Sequence, residues 1–179
     1  YIAKWRSENQ AAVNYEFDIQ ADKQRVSRDK ATEGTLITVY EVWKYAIHIE
    51  NRSKSGVTGA DVDQLEVHYN LIKTARSLAK EAGATHRGLV PSGPFLVKAG
   101  KVALGTAEYL RKSDVETETI AINASELKPG WAYTDGSKGE KRDDLEGIAV
   151  KIVRNGKVIG EKTIGSPKAA TAKWVQPRG

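Results

Sequence analysis

The stretch GIAVKIVRNGKVIGEKTIG, residues 147–165, decides the fold. Ile148, Val150 and Ile152 alternate with Ala149 and Lys151, and period-two alternation marks a strand with one buried face. Asn155-Gly156 follows directly. Both residues tolerate the positive φ that a two-residue hairpin turn needs, so the chain should reverse there. Val158 to Ile164 is the return strand, and Ser166-Pro167 ends it. In the simplest register Ile152 faces Ile159 and Val153 faces Val158, but Glu161 then lies opposite Val150 on the face to be buried. A bulge at Gly160 would pair Lys151 with Glu161 and Ile148 with Ile164, and set Lys162 against Val150. The far end of the hairpin is expected to be an edge, bulged or exposed, where another strand could dock.

Outward from this hairpin the same β pattern recurs. Val13, Tyr15, Phe17 and Ile19 alternate with Asn14, Glu16, Asp18 and Gln20. Residues 21–34 are polar and charged and read as a linker or exposed loop. The longest β-prone run is Thr35 to Glu50, with Val39, Trp43, Tyr45, Ile47 and Ile49 dominant. Its length predicts a bend or bulge near Val42. After turn-forming residues 51–61, Leu65, Val67, Tyr69 and Leu71 form a further strand, expected to pair antiparallel with the run before it. Ala75, Leu78, Ala79 and Ala82 sit at helical spacing before Gly83, which predicts one short helix over 74–82. Residues 83–114 carry many turn signals, with β-prone pieces at 95–98 and 101–104. Val115 to Asn123 reads as one strand. The expected fold is an all-β, antiparallel β-sandwich of about seven strands, with one inserted helix and an N-terminal arm. The expected division is an arm at 1–34, holding a strand at 13–20 and a polar linker, and a sandwich domain at 35–179.

Composition narrows the class. The chain has 179 residues, 40% hydrophobic and 28% charged, which suits a globular domain. It has no cysteine, which removes disulfides, thiolate metal sites and cysteine nucleophiles. It has no methionine, so Tyr1 is not an initiator; a cleaved leader and a truncated start are both open. No apolar run approaches the roughly 18 residues of a membrane span. The net charge of +5 assists solubility and contact with polyanions.

Two blocks carry a family resemblance. Tyr45 to Ser53 (YAIHIENRS), followed after a loop by Leu65-Glu-Val-His-Tyr69, resembles an element of immunoglobulin-like and fibronectin-type-III-like modules. There a strand ends in a turn at Asn and the next strand reads L-x-V-x-Y. Residues 147–153, Asn155-Gly156-Lys157 and Ser166-Pro167 are similar to the closing hairpin of such modules. The chain also resembles uncharacterised envelope-associated sandwich proteins of bacteria. The match covers roughly residues 43–72 and 145–168. It implies an immunoglobulin-like fold and carries no chemistry.

Chemistry-bearing residues are sparse. His48 and His68, on the polar faces of strands expected to be neighbours, could approach with Glu50 or Glu66 as a two-His, one-carboxylate metal set; the alternative is solvated cross-strand residues. Tyr133-Thr134-Asp135-Gly136-Ser137 resembles the segment bearing the first metal-binding Asp of ribonuclease H folds, but too little chain follows, and Asp135-Gly136 reads as a turn. Asp61, Asp63, Asp143, Asp144 and Glu146 match no calcium-loop spacing. Asn51-Arg-Ser53 and Asn123-Ala-Ser125 match the glycosylation acceptor pattern. No nucleophile elbow or phosphate-binding loop occurs. No catalytic, cofactor-binding or metal residues are therefore assigned, and no cofactor is expected.

The leading functional expectation is a non-enzymatic structural or interaction module outside the cytoplasm, at the cell surface, in the periplasm or secreted. Its partner would be protein, including copies of itself. The stripe Val13, Tyr15, Phe17 and Ile19 could add to a neighbour's open sheet edge and build a filament. A carbohydrate- or polymer-binding sandwich is the alternative, with Trp131 and Tyr133 as a stacking pair. A metal-dependent hydrolase is the third reading. Nucleic acid is not an expected partner.

Overall fold

The structure, a computed structural model, describes residues 12–78, 89–91, 95–128 and 141–178. Among these the fold is all-β, apart from a 3-10 turn at Pro167–Thr171. The strands are β1 (Val13–Asn14), β2 (Phe17–Glu33), β3 (Leu36–Asn51), β4 (Lys54–Ser55), β5 (Thr58–Gly59), β6 (Val62–Leu78), β7 (Leu89–Pro91), β8 (Leu96–Ala107), β9 (Lys112–Glu116), β10 (Ile120–Leu127), β11 (Lys141–Arg154) and β12 (Lys157–Gly165). β1, β4 and β5 form a small sheet, and the other strands form one antiparallel network.

That network divides along its length. The first half of β3 pairs with β10, through Trp43 opposite Ile120, and its second half pairs with β9, from Ala46 to Glu50. β11 likewise meets β10 at Lys141 and Arg142, and β12 from Gly147 onward. Where β9 and β12 replace β10, the network splits into β2-β3-β9 and β12-β11-β6-β8. These halves face each other as a β-sandwich. Tyr45, Ile47 and Ile49 from one half share a buried cluster with Val67, Tyr69, Leu71, Ile148, Val150 and Ile152 from the other. Where β10 joins β3 to β11, the network stays a single layer, β2-β3-β10-β11-β6-β7.

Backbone groups freed at the split find side-chain partners. Lys73 Nζ donates to Ala121 O at 2.8 Å, and the Asn123 N–H donates to Asp143 Oδ2 at 3.1 Å. Thr117 closes the other side: its N–H reaches Tyr45 O and its Oγ1 accepts the Tyr45 N–H, each at 3.0 Å. The run Val115–Asn123, expected as one strand, is therefore the end of β9 and the start of β10, broken where the chain changes layers.

The closing hairpin follows its bulged register. Lys151 pairs with Glu161, Val150 with Lys162 and Ile148 with Ile164, and Asn155 and Gly156 have φ of 50° and 77°. Three expectations need correction. β3 and β6 do not pair; their apolar faces meet across the core, because β3 takes β2 on one edge and β10 and β9 on the other, while β6 takes β11 and β8. Residues 74–78 continue β6 rather than opening a helix, held by β11 and β7, while 79–82 lie outside the described residues. The segments expected as a separate arm and linker both belong to this fold. Val13 and Asn14 pair with β4, and residues 17–33 form β2, paired along its whole length with β3. Ile19 is 2% exposed in the core, and Phe17 packs against it.

Candidate binding trough

β2 carries its charges in two sorted rows. Register against β3 puts Lys23 opposite Tyr45, Arg25 opposite Trp43, Arg28 opposite Glu41 and Lys30 opposite Val39. All lie on the face that continues the sandwich core. Asp18, Asp22 and Asp29 take the opposite face, paired with Glu50, Ala46 and Tyr40. Strict alternation through Val26 would turn Arg28 and Lys30 to the acidic side. The register shift between Arg25 and Ser27 makes Val26 the extra residue and keeps the basic row together. The bend expected near Val42 is thus supplied by the partner strand opposite it.

Lys23 and Arg28 of this row form one wall of a trough of about 440 Å³ in the single-layer part of the sheet, and Arg25 and Lys30 continue the row outside its lining. Trp43, Val39 and Glu41 from β3 form the floor, with Ile122, Ala124 and Glu126 from β10, and Arg142 and Asp144 from β11 close the far side. Lys23 Nζ stands 5.7 Å from the centroid of the half-buried Trp43 ring. Arg25 Nη1 lies 3.6 Å from Glu41 Oε2, and Arg142 Nε lies 3.6 Å from Asp144 Oδ1. The trough offers an aromatic face, cations and carboxylate acceptors together, which suits a ligand with a flat apolar face, anionic groups and hydroxyl donors.

The histidines stand apart. His48 is on the outer face of β3, where Nδ1 is 2.6 Å from Asp114 Oδ1 and Nε2 is 3.2 Å from Asp22 Oδ2. The hydrogen bond to Asp114 is the main cause of a pKa raised above the ordinary 6.5. His68 is on the outer face of the opposite half, 3.1 Å from Glu66 on its own strand. The core lies between them, so the two histidines do not come together as a metal set. Among the described residues, no group of three or more His, Asp or Glu side chains could hold a metal ion.

The acidic loop candidates also have structural partners. Asp61 accepts the Tyr109 N–H at 2.8 Å, and Asp63 pairs with Arg154 at 2.7 Å. Glu146 accepts from Thr74 and Ser166 at 2.7 and 2.5 Å. Asn51 is fully buried and donates to Ala60 O and Ala107 O, each at 2.8 Å, so its amide is closed to glycosylation. Trp131, Tyr133 and Asp135 lie outside the described residues.

Sequence reading missed Lys23, Arg25, Arg28, Lys30 and Trp43 as a unit. The signal was the alternation of charge sign in Asp22-Lys23 and Arg28-Asp29-Lys30. A loop has no reason to sort charge by parity, whereas a strand with two different faces does.

No family model matches the chain, and no curated protein matches it. Among solved structures it is similar to a protein from Akkermansia muciniphila, at 8% identity and a TM-score of 0.24, over 88% of this chain and 77% of that one. It is also similar to a GH3 β-glucosidase from Bifidobacterium adolescentis, at 10% identity and a TM-score of 0.16, over 85% of this chain but 17% of the glucosidase. Likenesses of this extent carry no argument about role, which rests on the trough's own residues.

Proposed function

We propose that the chain is a non-enzymatic binding module of the cell exterior, of immunoglobulin-like sandwich type, which holds a polymer in its trough. The carrying observation is the sorting of β2, which gathers Lys23, Arg25, Arg28 and Lys30 onto the face that also presents Trp43. Carboxylates of the trough face cations: Glu41 faces Arg25, Asp144 faces Arg142 and Asp143 faces Lys73. That arrangement suits fixed acceptors in a recognition surface better than a proton donor kept neutral for catalysis. The 3 + 4 order of the two halves, with its closing hairpin, supports the immunoglobulin-like reading.

The test is affinity electrophoresis of the full chain through gels containing envelope or matrix polysaccharides. Trp43→Leu combined with Arg142→Ala is expected to abolish retention while shifting the melting temperature by only a few degrees. Retention unchanged in that variant would place binding elsewhere. New reducing ends on prolonged incubation with a retained polymer would contradict the non-enzymatic reading. Export is tested by fractionation of the producing cell.

A second reading, self-assembly by strand addition, has support at β12. Among the described residues β12 pairs only with β11, and Val158 on it is 43% exposed. An open edge accepts a strand from another molecule. With Phe17 and Ile19 held at home, the donor would be a neighbour's β12 edge rather than residues 13–20. A monomeric mass by light scattering at high concentration would end this reading.

A further inference from the structure

The ligand class follows from which groups the trough leaves uncommitted, and the inference rests on the trough being the binding site. Side chains on one face of a strand recur about every 7 Å, so Lys23 to Lys30 spans roughly 20 Å of cationic row. Arg25 is held by Glu41, whereas among the described residues neither Arg28 nor Lys30 has an ion-pair partner. Lys23 is tied only loosely: 5.7 Å from the Trp43 ring is near the outer limit of about 6 Å for a cation–π contact. A ligand anion can therefore draw the ammonium off the ring and leave its face open.

A row of this kind attracts a linear polyanion, and Trp43 can take the flat face of a sugar ring or of a base. Glu41 and Asp144 decide between these. Their carboxylates, each beside an arginine, accept hydrogen bonds from hydroxyl groups. A single DNA strand has few hydroxyl donors to offer them. An acidic polysaccharide offers hydroxyl donors around each ring and anionic groups along one side. We propose that the trough binds an acidic polysaccharide, with a ring on Trp43, its anionic groups on Lys23 and Arg28 and, where the row runs on past the trough, on Lys30, and its hydroxyls on Glu41 and Asp144.

The test measures affinity of the full chain for polygalacturonate, neutral hydroxyethylcellulose and oligothymidylate. Lys23→Ala with Arg28→Ala is expected to weaken polygalacturonate binding on the order of tenfold or more, and added salt is expected to weaken it further. Both side chains are on an edge strand, so the fold should stay intact by circular dichroism. Lys112→Ala with Lys157→Ala removes equal charge away from the trough and should change affinity less than about twofold. Equal weakening in both variants would overturn the inference, because net charge alone would explain binding. Binding of hydroxyethylcellulose that the trough variant abolishes, without binding of polygalacturonate, would keep the module reading and overturn the acidic ligand. Tighter binding of oligothymidylate would replace the polysaccharide with a nucleic acid. Binding of none of the probes would overturn the proposed ligand class, and retention of another polymer in the Trp43→Leu, Arg142→Ala assay would then decide the module reading separately.

Discussion

Single residues hold the chain crossings. Gly147 and Gly165 face each other across the β11–β12 pair, and a Cβ on Gly165 would stand 2.3 Å from Glu146 O. Gly156 has φ of 77° but open space around it. Gly165→Ala should therefore cost about 3 kcal/mol through overpacking, and Gly156→Ala about 1 kcal/mol through backbone conformation alone, both read from urea midpoints. Asn51→Ala leaves Ala60 O, Ala107 O and the Ser53 N–H without this side chain, and should cost about 3 kcal/mol on the same measurement. The sequence showed Asn51 only as a turn residue and a glycosylation triplet; its burial depends on where β8 ends, which no local pattern records. His48 gives a pH signature. Its folded pKa is raised by Asp114, so the stabilisation is complete below about pH 6.5 and is lost as pH rises through the folded value. His48→Gln should flatten that part of a stability–pH curve measured by thermal melts.

At the scale of elements, hairpins were legible where turn chemistry and alternation agreed. The β11–β12 hairpin shows both, and even its bulge could be weighed from the clash of Glu161 with Val150. The start of β2 was legible in Phe17 and Ile19, but residues 21–33 were not, because charge sign rather than hydrophobicity alternates there. The apparent helix at 74–82 rested on alanines; their helix preference is the highest of any residue, but it is worth only tenths of a kcal/mol and over 74–78 yields to the ladder partners of β6. The bulge on β2 makes a specific prediction. Val26 is the extra residue, so deleting it should restore a regular ladder with Arg28 still opposite Glu41. Affinity for polygalacturonate should stay within about threefold of the parent chain, or less than 1 kcal/mol. A larger loss would mean that the bulge shapes the trough beyond restoring phase.

For the whole molecule, the class was written in the sequence and the strand order was not. Alternating apolar positions announce two-faced strands, and β3, β6, β11 and β12 can be found that way. Which strand neighbours which depends on contacts between distant segments, such as β3 with β9 and β10, so β3 and β6 were paired wrongly from their proximity in the chain. The trough exists because β10 holds the two halves in one layer before they separate. The same long strands thus supply core at one end and a charged, concave face at the other. The most direct measurement is a titration of the 15N-labelled chain with oligogalacturonide, followed by amide and indole shifts. Perturbations should concentrate at Lys23, Arg28, Trp43, Ala124 and Arg142. Perturbations centred on the β12 edge or on the outer faces around His48 and His68, with the trough silent, would contradict the account.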